Sequence, residues 1–436
     1  MTIKRVFITQ KNLSVLEYLY TKGIKINSSC SGRGTCKLCS IKVISGNFLF
    51  NGKVVLLNSS VPACKTYGCG VVEVALKEDN PILDYWDNVN MPNINKCVIG
   101  VDIGSTTIVA IKFFQGKILA TSKVSNPQAL HGFGHDVITR IANCQKEESF
   151  KELCLLLNNC VDQLITSLGI EDVSAIGIAG NPVMTAFYHN VNPSPLGSYP
   201  YLLEKTYYEI KQHTKFNLPI ITVPNIGSFL GGDALSGWMQ CNRENNSMLL
   251  DIGTNCEIIY KENNQLYALS TPAGPAFERS YQSRMPSVVC SNLAYGVSNF
   301  LLSKNGRFTE KINDDFQLSY LTEEDISQII LAKGAVASGI AALEKETSSK
   351  AQVIYIAGAM GQNLDIASAI TIGLLPKDRT YVKLGNSSLA GAIQVALDDS
   401  LVELYKQEAQ KIKIIELNNV PYYANLFSSH LTLSEF

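Results

Sequence analysis

Short alternations of apolar and polar positions run through the first eighty residues of the chain. Residues Ile3 to Ile8 alternate in this way, which predicts a β-strand, and Ser14 to Lys22 have the spacing of a helix that Ser14 caps. Two further strands are predicted, from Cys39 through Val43 and from Val71 to Leu76. Three strands with one helix predict a small β-grasp sheet.

The pattern changes beyond this region. From Val98 onward, strand-like apolar runs alternate with longer runs at helical spacing, which is typical of an α/β layout. Between Leu76 and Val98 the chain is rich in turn formers and polar residues, and this stretch predicts a linker. We therefore expect a first domain over residues 1–80, a linker over 81–97 and a second domain over 98–436.

Four cysteines give the first chemical signal. Cys30 and Cys36 enclose five residues, Cys36 and Cys39 enclose two, and Cys64 follows after a further twenty-four. This spacing is close to the plant-type arrangement of bunched thiolates with one distant partner, which holds a [2Fe–2S] cluster. Two glycines inside the loop let its backbone wrap closely around inorganic sulfide.

Other interpretations of these cysteines stay open. Zinc sites favour two separated C-x-x-C pairs, and only Cys36 and Cys39 make such a pair. A disulfide framework is disfavoured because the chain starts without a signal peptide and its other cysteines are scattered through apolar segments. Cys69 is an alternative fourth ligand, but it lies between two glycines, whereas Cys64 follows an apolar lead-in. We expect Cys64 to be the ligand.

Composition adds exclusions. The formal net charge is −1 and charged residues make up only 17%, so we expect neither a nucleic-acid partner nor an anionic membrane partner. A hydrophobic content of 46% is ample for a large core. Since no run of some eighteen apolar residues is evident, we expect no helix that spans a bilayer and a soluble, cytoplasmic protein.

A strand, a glycine turn and a second strand occur twice in the second domain. Residues 102–107 read Asp-Ile-Gly-Ser-Thr-Thr, and residues 251–255 read Asp-Ile-Gly-Thr-Asn. Each copy places a carboxylate at a strand end and surrounds a glycine with hydroxyl or amide groups that suit phosphate oxygens. Two such hairpins facing each other can clamp one nucleotide. The residues expected to contact its phosphates are Gly104, Ser105, Thr106, Thr107, Gly253, Thr254 and Asn255.

A third glycine segment follows the apolar run Val353–Ala357. Its backbone at Gly358, Ala359 and Gly361 can lie flat against an adenine ring. The order of two phosphate hairpins and an adenosine turn resembles the superfamily of actin, the sugar kinases and the heat-shock chaperone ATPases.

A narrower resemblance, to the reductive activators of corrinoid proteins, is carried by four segments and the cysteine loop. The segments are Gly180–Met184, Gly231–Asp233, Ala273–Glu278 and Gly385–Ala392. The resemblance implies an N-terminal β-grasp [2Fe–2S] ferredoxin-like domain. It also implies a two-lobed α/β ATPase domain of the actin/hexokinase (ribonuclease H-like) fold, with lobes at about 98–225 and 226–436.

The chain departs from that family in two places. Family members typically carry a linker and a further domain between ferredoxin and ATPase, whereas only about twenty residues separate the two predicted domains here. We therefore expect a short variant that lacks the middle domain. In addition, Cys256 stands where a glycine is more usual after Thr-Asn.

The resemblance implies catalytic roles for three aspartates. Asp102 and Asp251 would hold Mg²⁺, directly or through water, with turn capping as the alternative. Asp233 would orient water for ATP hydrolysis, with a helix N-cap before Ala234 as the alternative. Weaker candidates, each with a purely structural alternative, are Asn181, Asn255, Glu278, Ser387, Ser388, His131 and His135.

The implied function is ATP-dependent reductive activation. ATP binding and hydrolysis would control the transfer of one electron from the cluster to a partner metalloprotein, with Co(II) becoming Co(I) in a corrinoid protein. Alternatives are an ATP-driven donor to an iron–sulfur enzyme and a nucleotide-binding redox sensor without turnover. A small-metabolite kinase would have no use for the cluster. The low-potential electron donor is not identified, and a homodimer is an open possibility.

Overall fold

The computed structural model describes residues 3–22, 24, 26, 39–75, 91–134, 136–203, 205–273, 286–309, 318 and 321–436. The predicted ligands Cys30 and Cys36 lie outside the described residues, as do His135, Glu278 and residues 81–90 of the predicted linker.

The first sheet is antiparallel and carries one helix. Its elements are β1 (Ile3–Ile8), α1 (Val15–Thr21), β2 (Ser40–Phe50), β3 (Lys53–Val54), β4 (Ser60–Pro62) and β5 (Thr66–Ala75). The strand order is β1-β5-β2-β3, and β4 also pairs with β2. The three predicted strands and the helix are confirmed, and the second strand continues seven residues beyond Val43.

Ser14 caps α1 as predicted. The Glu17 N–H donates to Ser14 Oγ at 3.2 Å, and the Ser14 N–H donates to Glu17 Oε2 at 2.9 Å. This reciprocal pair satisfies free backbone donors at the helix start, which fixes where the helix begins.

The second sheet begins a larger α/β region. Its segment of the chain contains β6 (Cys97–Ile103), β7 (Thr107–Phe114), β8 (Lys117–Ser125), α2 (Pro127–Leu130), α3 (Val137–Asn143), α4 (Glu147–Ser167), β9 (Val173–Gly180), α5 (Pro182–Tyr188), β10 (Lys211–Gln212), β11 (Pro219–Thr222) and α6 (Gly232–Gln240). The strand order is β10-β11-β9-β6-β7-β8.

The third sheet follows in the chain. Its segment contains β12 (Ser247–Ile252), β13 (Cys256–Glu262), β14 (Gln265–Thr271), α7 (Pro286–Ser298), α8 (Glu323–Thr347), β15 (Val353–Ala357), α9 (Ile366–Thr371), β16 (Thr380–Lys383), α10 (Ser387–Leu397), α11 (Leu401–Gln410), β17 (Ile412–Ile414) and α12 (Tyr423–Ser429). The strand order is β16-β15-β12-β13-β14-β17.

These two sheets repeat one topology. In each, an antiparallel meander of three strands is extended, beside its first strand, by two parallel strands. The meanders are β6–β8 and β12–β14, and each predicted glycine turn joins the first two strands of its meander. The repeat inferred from two short motifs is therefore a repeat of whole folding units, and the two-lobed α/β architecture is confirmed.

Helices α6 and α10 cross between the two larger sheets with very little space. A Cβ at Gly391 in α10 would lie 2.0 Å from Ser236 Oγ in α6, and one at Gly177 in β9 would lie 1.7 Å from the Ala392 carbonyl oxygen. Real Cβ atoms do not approach other atoms this closely, so glycine is required at both contacts. The close packing brings the start of α10 to the end of β6.

Helix α8 is the most apolar long helix in the described part of the chain. By length and composition alone it could cross a membrane, although the sequence suggested no such segment. In the fold, 78% of its apolar window is buried, and its residues from Ile326 to Leu343 contribute to the core of the third sheet.

The contact between β9 and α10 predicts a difference between two glycine substitutions. Gly177→Ala should lower the free energy of unfolding by about 1–3 kcal/mol or more, because the new methyl group meets a backbone carbonyl that cannot move aside. Gly339→Ala in α8 is the matched control. Its Cβ would meet the side-chain end Ile258 Cδ1 at 3.0 Å, and alanine favours the helix by about 1 kcal/mol. Equal denaturant midpoints for the two variants would contradict the packing account.

Candidate nucleotide and cluster sites

Asp102 lies in β6 beside the first glycine hairpin, and the start of α10, from the C-terminal part of the chain, reaches it. Ser388 Oγ donates to Asp102 Oδ1 at 2.7 Å, and Asn386 Nδ2 donates to Asp102 Oδ2 at 3.3 Å. Asn386 also caps α10 by accepting the Leu389 N–H at 2.9 Å. These contacts link a carboxylate of the second sheet to a helix from the C-terminal part of the chain. Ser387, the other predicted serine, has a buried hydroxyl without a hydrogen-bond partner among the described residues.

Three further carboxylates share this cleft with Asp102. Asp251 ends β12, Glu257 lies directly opposite it in β13, and Asp233 lies in the first turn of α6. Burial, together with the negative charge of Asp102, raises the pKa of Asp233 to about 7, and the hydrogen bond from the Ala234 N–H opposes this rise. The pKa of Asp251 rises to about 8 through burial and through the charges of Asp233 and Asp102. Burial is the largest cause in both groups, and mutual repulsion adds to it.

The remaining two carboxylates follow the same rule. Burial raises the pKa of Asp102, and the hydrogen bonds from Ser388 and Asn386 oppose that rise. For Glu257 the pKa is raised by burial and by the charges of Asp233 and Asp251, while Ser270 Oγ donates to Glu257 Oε1 at 3.5 Å. Four carboxylates that repel one another create a strong demand for positive charge in the cleft.

The four carboxylates suit a cation that is also bound by ligands from outside the protein. Within the described part of the chain, no three His, Cys, Asp or Glu side chains form a group that could hold a metal ion. Mg²⁺ does not require such a group, since it usually takes one or two carboxylates together with phosphate oxygens and water. The residues therefore fit Mg²⁺ bound together with a nucleotide.

In the first hairpin the backbone carbonyl groups accept hydrogen bonds from the protein, whereas some N–H groups do not donate any among the described residues. Register places residues 104–107 between the paired residues Ile103 and Ile108, and the Gly104 N–H donates to the Thr107 carbonyl at 3.1 Å. Asn126 binds two other carbonyls, through Nδ2 to Gly104 at 3.0 Å and through its N–H to Thr106 at 2.8 Å. No acceptor for the N–H groups of residues 105 and 106 is found in the described structure. Free N–H groups in a turn form a site for phosphate oxygens.

The second hairpin is one residue shorter and lies against the third glycine segment. Residues 253–255 join Ile252 to Cys256, and the Gly253 N–H donates to the Asn255 carbonyl at 2.8 Å. Gly358 has a φ of +82°, and a Cβ there would lie 2.4 Å from Asp251 Oδ1. Residue 358 must therefore be glycine, because the predicted adenosine turn lies directly against Asp251, the candidate Mg²⁺ ligand. Cys256 has a fully buried side chain in β13, so its departure from glycine does not interrupt the hairpin.

A lysine fixes the far end of that turn. Lys383, the last residue of β16, donates from Nζ to the Gln362 carbonyl at 2.9 Å and to the Leu364 carbonyl at 2.7 Å. Ala359 and Gly361 lie in the segment between Gly358 and these carbonyls, and Gly361 begins a short 3₁₀ helix. The three predicted nucleotide segments are therefore parts of one cleft.

Asp233 is not the N-cap of its helix, so that alternative is wrong. Gly231 occupies the N-cap of α6, and Asp233 Oδ1 accepts the Ala234 N–H at 2.9 Å from within the first turn. A Cβ at Gly231 would lie 2.3 Å from Asp233 Oδ1 and 2.7 Å from the Gly180 carbonyl oxygen. The glycine pair lets the start of α6 approach β9, which leaves the Asp233 side chain directed among the other carboxylates.

Buried amides hold the start of α6. Asn225 is 2% exposed, its Oδ1 accepts the Gly232 N–H at 3.1 Å, and its Nδ2 donates to Thr185 Oγ1 at 3.3 Å. Asn181 caps α5 by accepting the N–H groups of Val183 and Met184 at 3.1 and 3.0 Å. For Asn181 the structure thus shows the turn-bracing role that was the alternative to nucleotide contact.

The sequence interpretation missed Glu257, Asn126 and Asn225. Glu257 could have been found, because a three-residue turn places it opposite Asp251 on the neighbouring strand. The two asparagines act on residues 22 and 7 positions away and follow no motif. His131, a weak candidate, ends α2 at the surface.

The first sheet brings two of the predicted cluster ligands together. Cys39 precedes β2, Cys64 lies in a short 3₁₀ helix, and the Ala63 N–H donates to the Cys39 carbonyl at 2.7 Å. Their side chains are 1% and 5% exposed. A hydrogen bond from the Cys64 thiol lowers the pKa of Cys39. Cys69 lies in β5 opposite Asn47, away from this pair. A buried thiol with thiolate character fits an iron ligand.

Comparison with protein families accounts for most of the chain. Residues 3–71 match the 2Fe-2S iron-sulfur cluster binding domain, and residues 97–246 match the RACo middle region. Residues 245–284 and 303–435 match the C-terminal domain of RACo, the ASKHA domain.

Individual relatives agree with these matches. The corrinoid activation enzyme RamQ of Eubacterium limosum is 26% identical over 67% of this chain and 63% of its own length. The [Co(II) methylated amine-specific corrinoid protein] reductase of Methanosarcina barkeri is 25% identical over 45% of this chain and 48% of its own length. The matched part thus spans about half to two thirds of these curated relatives.

A solved structure shows the same fold. A reductive activator for corrinoid, iron-sulfur protein superposes with a TM-score of 0.68 at 21% identity, covering 98% of this chain and 96% of that chain. The expected loss of the middle domain needs correction, because residues 97–246 match the middle region and form the first lobe of the α/β region.

The carboxylate cluster predicts an unusual pH dependence of stability. Asp233 and Asp251 bind protons up to about pH 7 and 8 in the folded chain, whereas an unfolded aspartate releases its proton near its ordinary pKa of 3.8. Without nucleotide, the folded form therefore binds more protons between these limits, and its stability should fall as pH rises from 4 to 8. Glu257→Gln should reduce this fall, measured by denaturant unfolding at several pH values.

Glu262→Gln, on the same strand, is the control and should keep the wild-type pH dependence. Adding Mg²⁺ with a non-hydrolysable ATP analogue should also reduce the fall, because bound positive charge restores low pKa values to the carboxylates. A wild-type pH dependence in the Glu257 variant would show that the four charges are not coupled.

The cysteine geometry predicts which thiol binds iron. Cys64→Ser should lose most bound iron and the visible absorption of a [2Fe–2S] protein after anaerobic reconstitution, because Cys64 lies beside Cys39. Cys69→Ser is the matched control and should keep both. Loss of iron in the Cys69 variant with retention in the Cys64 variant would reverse the assignment.

Proposed function

We propose a function from one premise: this chain belongs to the family of reductive activators of corrinoid proteins, whose middle and C-terminal regions match most of its residues from 97 onward. The chain is an ATP-dependent electron donor. Nucleotide binding and hydrolysis in the carboxylate cleft control the transfer of one electron from a [2Fe–2S] cluster to a corrinoid protein, in which Co(II) becomes Co(I). We expect it to act in the cytoplasm, with a low-potential donor that its sequence does not identify.

The observation that carries the proposal is the convergence of four carboxylates between two glycine hairpins, on a chain that also pairs two buried cysteines. Asp102 and Asp251 would hold Mg²⁺, which supplies the positive charge that their raised pKa values indicate is needed. Cys39 and Cys64, together with Cys30 and Cys36, would hold the cluster that supplies the single electron.

Asp233 is suited to act on water. Burial raises its pKa to about 7 when no cation is bound, and a carboxylate held in such an environment can accept a proton from water. Its carboxylate is fixed by the Ala234 N–H and by the glycine pair that precedes it. We therefore assign to Asp233 the orientation and deprotonation of the water that attacks the terminal phosphate.

The two lobes can transmit the nucleotide state. Asn386 and Ser388 of the second lobe bind Asp102 of the first, so a change of charge at Asp102 acts on the start of α10. If nucleotide state and acceptor redox state were coupled by roughly 3 kcal/mol, a one-electron potential would move by about 130 mV. Hydrolysis would then give the transfer its direction.

The direct test mixes the reduced, full-length protein with candidate corrinoid proteins. Co(I) absorbance should appear with Mg²⁺ and ATP and should be absent or slow without nucleotide. Failure to form Co(I) with several candidate partners, by a protein that hydrolyses ATP, would remove the corrinoid assignment and leave the ATP-driven donor to an iron–sulfur enzyme.

Asp233→Asn should lower ATP turnover by about 10²-fold or more, because the amide cannot accept the proton. Nucleotide binding should persist, since the proposed Mg²⁺ ligands are unchanged. Asp399→Asn, an exposed aspartate before α11, is the control and should turn over normally. Wild-type turnover in the Asp233 variant would refute its assigned role, and the absence of turnover in the wild-type protein would favour a redox sensor.

A further inference from the structure

A buried arginine lies directly behind the first phosphate hairpin. Arg140 in α3 is fully buried, and its guanidinium donates to four acceptors. Nη2 donates to the Ser105 carbonyl at 2.7 Å, and Nε donates to the Gly134 carbonyl at 3.1 Å. Nη1 donates to Gln128 Oε1 at 3.1 Å and to Met184 Sδ at 3.4 Å.

All of these acceptors are neutral. No carboxylate in the described structure forms an ion pair with Arg140, and Asp136, one turn earlier in the chain, acts on it only through its more distant charge. Burial lowers the pKa of Arg140 to about 10, so the side chain is still a cation at neutral pH. A buried charge without a counter-ion is costly and is seldom found without a function.

The hydrogen bond from Arg140 to the Ser105 carbonyl determines the direction of the next N–H group in the hairpin. In a trans peptide the carbonyl and the following N–H point in opposite directions. Because Arg140 binds the Ser105 carbonyl from the protein side, the N–H of Thr106 is directed away from the guanidinium. Asn126 binds the carbonyls of Gly104 and Thr106, so the three carbonyls of residues 104–106 are all held. A carbonyl that binds a cation also makes its peptide N–H a stronger donor.

We infer that Arg140 is a positioning residue for the first phosphate hairpin, and that its buried charge, which no described carboxylate contacts directly, strengthens binding of the nucleotide's polyphosphate chain. The inference rests on the proposed nucleotide binding and adds a preference for nucleotides with more phosphates. Since the interaction is between charges, the contribution of Arg140 increases with the number of phosphates. ATP gains most from it, ADP less and AMP least.

Gln128→Glu tests the charge without removing the arginine. The substitution is nearly isosteric, keeps an acceptor for Nη1 and places a carboxylate beside the guanidinium, which neutralises its charge. It also removes the hydrogen bond from Gln128 Nε2 to the Leu153 carbonyl, a loss that should affect all three nucleotides alike. The full-length, reconstituted protein would be titrated calorimetrically with AMP, MgADP and a non-hydrolysable MgATP analogue. The ATP analogue should bind about tenfold more weakly, and AMP should change by less than about twofold.

Gln407→Glu adds the same charge on the exposed face of α11 and should change none of the three affinities. Equal weakening of all three nucleotides by Gln128→Glu, or no weakening at all, would overturn the inference. Absence of nucleotide binding by the wild-type protein would instead refute the proposed function, and the inference with it.

Arg140→Lys provides an independent test that does not depend on folding of the Gln128 variant. Lysine keeps the charge but has fewer donors for the surrounding acceptors, so all three affinities should fall by a similar factor. The ratio of ATP-analogue to AMP affinity should stay near the wild-type value. A collapse of that ratio in the lysine variant would show that geometry, and not charge, sets the preference for polyphosphate.

Discussion

Repulsion among four carboxylates in one cleft is the constraint on which the α/β region depends. Burial raises the pKa values of Asp102, Asp233, Asp251 and Glu257, and negative charges within the group raise those of Asp233, Asp251 and Glu257 as well. Such a cluster is tolerated in a folded protein when a bound cation compensates it. The first glycine hairpin supplies N–H groups for anions, so the cleft fits a metal–nucleotide complex.

This constraint connects the two lobes. Asp102 belongs to the first sheet of the repeat, yet its hydrogen bonds come from Asn386 and Ser388 at the start of α10. Helices α6 and α10 cross at Gly391 with no space for a side chain, so movement of one must be followed by the other. A change of charge in the cleft therefore acts directly on the start of α10. In the proposed function, that change decides when the ferredoxin-like domain releases its electron.

The sequence predicted the parts of this site that local pattern encodes. The sequence motifs show both hairpins and the turn at Gly358, because each depends only on neighbouring residues. The same is true of the helix cap at Ser14 in the first domain. Glu257 was missed because its partner Asp251 lies across a strand pair. Asn225 and Arg140 act on backbone groups 7 and 35 positions away, and no spacing rule marks them. The predicted domain boundaries remain predictions, and the middle region thought to be missing is the first lobe itself.

The central claim is that nucleotide in the carboxylate cleft controls electron release from the cluster. Stopped-flow absorption of the reduced protein mixed with a corrinoid protein measures this most directly, because cluster oxidation and phosphate release can be followed in the same reaction. The account predicts that the cluster is oxidised rapidly only with Mg²⁺ and ATP, in step with phosphate release. Oxidation at the same rate with ADP or without nucleotide would contradict it.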